Sequence, residues 1–195
     1  MTQDYAKELK ISIIGPAAVG KTYLVNRWVK ANKSEEINTF STIGVMDLTK
    51  NVLFNSRNFL VKVRDTAGQE RFVHDASATF YVKDQDAAII TFAVNDIDSF
   101  TNIDLYFDIV QGAQDPPRII VLVGNKCDVE TRFVSRADAE KKAREKKIPY
   151  FETSAKNNEK VDDLFDYLID AIVNTDHHRP QSVNLAQEKK ESSCC

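Results

Sequence analysis

The chain has 195 residues, of which 26 are basic and 29 acidic, for a net charge of −3; it lacks the concentrated positive charge that nucleic-acid binding requires. Hydrophobic residues make up 43% and charged residues 28%, a balance that suits one globular domain with a substantial core rather than a disordered chain. No apolar run is long enough to cross a bilayer and the opening MTQDYAKE lacks the layout of a signal peptide, so the composition predicts a cytosol-facing protein.

In chain order, LKISIIG (9–15) has the length and β-branched content of a buried strand. GPAAVGKT follows at once, from Gly15 to Thr22, and satisfies G-x-x-x-x-G-K-[ST]. TYLVNRWVK then shows helical spacing, so the motif sits between a strand and a helix, the context a phosphate-binding loop needs. Backbone N–H groups and the helix N-terminus present positive potential to phosphates. We therefore assign nucleotide contacts to Gly15, Ala18, Val19, Gly20, Lys21, Thr22 and Tyr23. Lys21 can reach the β and γ phosphates and act in catalysis, and the Thr22 hydroxyl is the expected Mg2+ ligand.

TFSTIGV (39–45) and DTAGQE (65–70) come next, with VMDLTKNVLFNSRNFLVKVRD lying between and into them. Two strand-like runs flank the turn-forming NSRN, which predicts an antiparallel hairpin at a sheet edge. Asp65 closes a strand and can hold Mg2+ through water. Gly68 can offer its N–H to a γ-phosphate, and Gln69 can orient an attacking water. Thr42 can give its hydroxyl to the metal and its amide to the γ-phosphate. Loss of that phosphate removes both sets of contacts and releases two loops, the physical content of a switch.

AAIITFAV (87–94) reads as another buried strand, and DSFTNIDLYFDIVQGA as one helix before a Pro-Pro stop. RIIVLVGNK (118–126) is a strand that runs into NKCD, Asn125 to Asp128. A phosphate loop alone leaves adenine and guanine nucleotides open. A carboxylate at Asp128 can accept two hydrogen bonds, from the N1–H and the exocyclic amine of guanine, and adenine offers no such donor pair. SRADAEKKAREKK is helical, IPYFETS (148–154) is a strand, and ETSAK (152–156) at its end would set the Ala155 N–H against guanine O6. Asn125, Lys126, Ser154 and Lys156 complete the base-side assignment. VDDLFDYLIDAIVN (161–174) is a helix, after which TDHHRPQSVNLAQEKKESSCC loses apolar periodicity. The domain is therefore read as 1–174, followed by a flexible tail over 175–195. Strands alternating with helices argue for right-handed βαβ units on a mostly parallel sheet.

With GPAAVGKT, TIG, DTAGQERF, NKCD and ETSAK in this order, the chain resembles the Ras superfamily of small GTPases, and specifically the Rab family. The resemblance covers residues 8–174 and the tail. It implies a phosphate-loop NTPase fold of three layers, with a six-stranded sheet, one antiparallel edge pair and helices on both faces. It further implies GTP or GDP with Mg2+ as ligands, slow GTP hydrolysis, and a role in vesicle traffic through effectors recruited in the GTP state. The implied partners are an exchange factor, a GTPase-activating protein, a GDP-dissociation inhibitor or escort protein, and effectors, for a monomer with no nucleic acid.

Rab proteins commonly end in two geranylgeranylated cysteines, and here Cys194 and Cys195 are the last two residues. One lipid chain holds only marginally, and Lys189 and Lys190 are offset by Glu188 and Glu191, so two chains would be required for attachment to the cytoplasmic face of an internal membrane. The 21 residues from Thr175 onward, if flexible, span about 25 Å. Matching the motifs also puts Asp47 and Arg64 where Rabs commonly carry aromatics of an effector-binding cluster, and Lys33 near the place of an aromatic that packs on guanine. Two other readings compete. An ATP-using phosphate-loop enzyme is opposed by NKCD and ETSAK. A GTP-binding scaffold with little hydrolysis is suggested by Ala17 in the phosphate loop and opposed by Gln69.

Overall fold

The computed structural model describes residues 7–30, 45–66 and 76–177. Its elements are β1 (Lys7–Ile14), α1 (Lys21–Val29), β2 (Val45–Phe54), β3 (Arg57–Thr66), a 3-10 turn at Ala76–Tyr81, β4 (Ala87–Ala93), α2 (Ile97–Thr101), α3 (Ile103–Gln111), β5 (Ile119–Asn125), α4 (Arg136–Lys146), β6 (Tyr150–Glu152) and α5 (Val161–His177). The six strands form one sheet in the order β2-β3-β1-β4-β5-β6. Every pairing is parallel except β2 with β3, so the mostly parallel sheet with one antiparallel edge pair is present as expected.

Every residue of β4 and nearly every residue of β5 is buried, because helices cover both faces of a parallel sheet and leave no solvent side for polar alternation. The two faces carry separate cores. On one, Leu9, Ile11 and Ile13 of β1 meet α1 and α5, where the Trp28 and Phe165 rings stack with centroids 4.1 Å apart. On the other, Ile90, Phe92 and Leu122 pack with Ile103, Val110 and Ala139. Edge strand β2, with one face open, alternates exposed and half-buried residues instead.

The hairpin turn is tighter than NSRN suggested. Asn55 and Ser56 alone make it, with φ of 48° and 61°, the paired positive values of a two-residue turn matched to strand twist; Arg57 and Asn58 already belong to β3. The single helix expected before Pro116 is two, α2 and α3, joined at Asn102. There the Asn102 side chain donates to the Asp98 carbonyl at 2.9 Å and the Thr101 hydroxyl to the Ile97 carbonyl at 3.0 Å. The Asp98 carbonyl also keeps its ladder bond, from the Asn102 N–H at 3.1 Å. The cap of α2 is Asp96, which accepts from the amides of Asp98 and Ser99, and Ser135 caps α4. Helix α5 runs to His177, three residues past the expected boundary at 174, with the Thr175 hydroxyl bonded to the Ala171 carbonyl at 2.7 Å. Among the described residues, no helix is long and apolar enough to cross a membrane.

Candidate nucleotide site

Strand β1 lies between β3 and β4, with β2 and β3 added on one side of it and β4, β5 and β6 on the other. That is the switch point at which open α/β sheets form a crevice beyond their strand C-termini. The loop after β1 begins at Gly15, with φ 144° and a position where a Cβ would overlap the Thr91 carbonyl oxygen. It ends at Gly20, with φ 95° and a Cβ position 2.5 Å from Asn125 Nδ2. Ala18 takes the same left-handed region at φ 61°. Gly20 caps α1 without a side-chain hydrogen bond, and the first turn of α1 holds no acid, so the helix N-terminus is electrostatically suited to an anion.

Lys21 is only 5% exposed. Its Nζ donates to the carbonyls of Gly15 at 2.8 Å and Pro16 at 2.7 Å, folding the ammonium back over its own loop. Burial pushes its pKa down to about 8, against the pull of Asp65. The Thr22 hydroxyl donates to Asp65 Oδ2 at 2.6 Å, and Asp65 is fully buried. A hydroxyl and a carboxylate brought together beside a phosphate-binding loop are hard oxygen donors of the kind Mg2+ prefers, so this pair fits the metal. The Thr66 hydroxyl bonds the Ile13 carbonyl at 2.9 Å and fixes the end of β3 against β1.

The residues expected at the base converge from two strand ends. Asn125 Nδ2 donates to the Val19 carbonyl at 2.9 Å, 106 positions away in the chain. Its Oδ1 accepts from the Thr153 hydroxyl at 3.2 Å and from the Ala155 N–H at 3.3 Å. The Ala155 N–H expected to meet guanine O6 is thus directed at Asn125 here, and Asn125 links the phosphate loop to the loop after β6. The Ser154 hydroxyl donates to Asp128 Oδ1 at 2.6 Å, and Lys156 Nζ lies 4.0 Å from Asp128 Oδ2. Lys126 sits between in a left-handed conformation, φ 65°.

Gly15, Ala18, Val19, Gly20, Lys21, Thr22, Tyr23, Asp65, Asn125, Lys126, Asp128, Ser154, Ala155 and Lys156 therefore come from the same strand-end rim of the sheet and its adjoining loops. Thr42, Gly68, Gln69, Lys33, Cys194 and Cys195 lie outside the described residues. Two further residues have no role assigned from the sequence: Thr153, which lies within ETSAK and bonds Asn125, and Arg27. The Arg27 side chain is buried in α1 and donates to the Ala155 carbonyl at 2.9 Å. A cation among the apolar Leu24, Val25 and Trp28 of one helix, outside the phosphate-loop motif that accounts for Lys21, is the signal that could have marked it.

The Ras family model matches residues 10–174. The chain is 35% identical to Ras-related protein Rab-7b of Homo sapiens, covering 96% of each chain. It is 36% identical to Ras-related protein Rab7 of Cenchrus ciliaris, again over 96% of each. With Ras-related protein Rab-13 of Rattus norvegicus the identity is 34%, over all of this chain and 98% of the relative.

Proposed function

The chain belongs to the Ras family as a divergent Rab-like small GTPase, a GTP hydrolase, and from that premise we propose that it is a membrane-attached switch that reads guanine through Asp128 and recruits effectors in its GTP state. The observation that carries the reading is the Asn125 bridge, which joins the phosphate loop at Val19 to the loop at Ala155. A nucleotide lying across that bridge would meet Lys21 and the α1 N-terminus with its phosphates and Asp128 with its base. Lys21 would exchange its two carbonyl acceptors for phosphate oxygens, gaining a full negative partner for a buried ammonium. Thr22 and Asp65 would hold Mg2+, with Thr42 as a further ligand; the metal would neutralise charge on the β and γ phosphates. Gln69 would orient the attacking water and Gly68 and Thr42 would bind the γ-phosphate, so that hydrolysis releases both loops.

Residues 1–174 would form the switch domain and residues 175–195 a tether whose Cys194 and Cys195 carry two geranylgeranyl groups. The exchange factor, activating protein, GDP-dissociation inhibitor or escort, and effectors would be those of a trafficking switch at the cytoplasmic face of an internal membrane. Single-turnover hydrolysis of bound GTP, with and without cell extract as a source of activating protein, tests the cycle. The wild type should accelerate with extract, and Gln69→Leu should bind GTP normally yet stay slow in both conditions, since only the positioning of water is lost. Equal rates for Gln69→Leu and wild type would remove Gln69 from the mechanism.

A further inference from the structure

Arg27 is 4% exposed, and the backbone acceptors it reaches lie 128 and 129 positions along the chain. Its Nε donates to the Ala155 carbonyl at 2.9 Å, and one terminal nitrogen donates to the Lys156 carbonyl at 3.4 Å and the Tyr23 hydroxyl at 3.0 Å. The guanidinium carbon also lies 5.4 Å from the Tyr23 ring centroid. A buried cation is costly unless its donors are met, and an apolar side chain of similar length would fill the same space without that cost. What the guanidinium adds is a planar fork held on two successive carbonyls of one loop. That loop is 154–156, the one expected at the guanine base. The helix that carries Arg27 also carries Lys21 and Thr22 at its start.

We propose that Arg27 is a positioning residue for guanine recognition, and that through it α1 sets the spacing between the phosphate contacts and the base-reading loop. Asn125 tethers the same loop from the sheet side, so the loop is gripped from two directions. Removing the α1 grip leaves the phosphate contacts in place and misplaces the Ala155 N–H and the Ser154 hydroxyl that supports Asp128. Nucleotide release then becomes faster because its base end is held less well, with no change in the groups around the γ-phosphate. This inference rests on the guanine-binding reading above.

The test uses the full-length chain and the variants Arg27→Met, which retains length and packing without donors, and Arg27→Lys, which retains one charged donor without the fork. Release of a fluorescent GDP should be about 10- to 100-fold faster in Arg27→Met, the range expected for lost hydrogen bonds to a charged group. Arg27→Lys should fall between Arg27→Met and wild type. Affinity for inorganic pyrophosphate and the single-turnover hydrolysis rate of prebound GTP should change by less than about twofold, because neither depends on the base loop. GDP release within twofold of wild type in both variants overturns the proposal. So does an equal loss of GDP and pyrophosphate affinity, the mark of a general structural defect. If Arg27→Met does not fold, Arg27→Lys decides alone: faster GDP release with unchanged pyrophosphate affinity supports the proposal, and any other result overturns it. A wild-type chain that binds ADP as well as GDP would instead refute the guanine reading itself.

Discussion

The Ser154 hydroxyl donates a 2.6 Å hydrogen bond to Asp128 Oδ1, across 26 positions of chain. The Asp128 side chain is 9% exposed, and this bond aims one oxygen while leaving Oδ2 near Lys156. A carboxylate held in this way matches the paired donors of guanine. Asp128→Asn should therefore lose at least about 100-fold in GTP affinity, since each hydrogen bond to a charged group contributes about 1.5–3 kcal/mol. It should gain affinity for xanthine nucleotides, whose C2 carbonyl accepts from the new amide. Competition binding with GDP and XDP measures both changes. Unaltered GDP binding would remove Asp128 from the base site.

Lys21 should make nucleotide binding depend on pH. Its pKa falls from an ordinary 10.5 to about 8 through burial. Between those values the unfolded chain holds a proton that the folded chain releases, so the nucleotide-free protein gains stability as pH rises through that window. The cost of burying the ammonium is fully present below about pH 8. Bound phosphates require the ammonium, so binding at pH 9 should take up close to one proton, and affinity should fall as pH rises above about 8, by up to about tenfold per unit. Calorimetry of GDP binding in two buffers of different ionisation enthalpy reads the uptake directly. No uptake at pH 9 would show that Lys21 keeps its charge without nucleotide.

Much of this site is legible in the sequence, because each part is a short motif at the end of an apolar run. GPAAVGKT, the NKCD that follows IIVLVG, and ETSAK all stand where a parallel strand must end, so strand recognition places them on one rim. What stays hidden depends on contacts between distant segments. Nothing in TYLVNRWVK says that Arg27 faces residues 155 and 156, and nothing in DSFTNIDLYF says that the helix will break at Asn102. The cap at Asp96 was likewise obscured, because Asp98 two residues later reads equally well as a start.

Cys127 should react slowly. Burial first, and then the charges of Glu159 and Glu152, push its thiol up to about 11, and the thiol donates to Glu159 Oε2 at 3.7 Å. At pH 8 roughly one molecule in a thousand would carry the thiolate that reacts. Protein made in bacteria should accordingly take up two alkyl groups rapidly, at Cys194 and Cys195, and a third only after denaturation. Protein from a eukaryotic membrane fraction should resist alkylation at both terminal cysteines and show the mass of two geranylgeranyl groups. Unmodified Cys194 and Cys195 on membrane-bound protein would defeat the lipid-anchor proposal.

The outer face of the edge hairpin supplies the last prediction. Asp47 and Arg64 are direct partners in the antiparallel register, with Arg64 Nε 3.4 Å from Asp47 Oδ1 and Lys62 Nζ 3.1 Å from Oδ2. This cross-strand pair contributes about 0.2–1 kcal/mol. These side chains line a groove of about 220 Å³ with Lys10, Lys83 and Phe80, the last being 67% exposed. A partner that inserts an apolar anchor here must strip water from charged groups of both signs, Asp47, Arg64 and Lys62 among them, without replacing their hydrogen bonds, which costs several kcal/mol. A partner that presents its own polar or charged groups does not meet that cost. The effector of this chain should therefore differ in chemistry from those that dock on an aromatic cluster. The double substitution Asp47→Phe with Arg64→Trp should gain binding to an effector of a conventional Rab and lose the native GTP-dependent partner, as measured by pull-down with GTP-loaded and GDP-loaded protein. Thermal stability should change little, because only surface ion pairs are removed. If the native partner binds the double variant as tightly as wild type, its specificity is set elsewhere on the molecule.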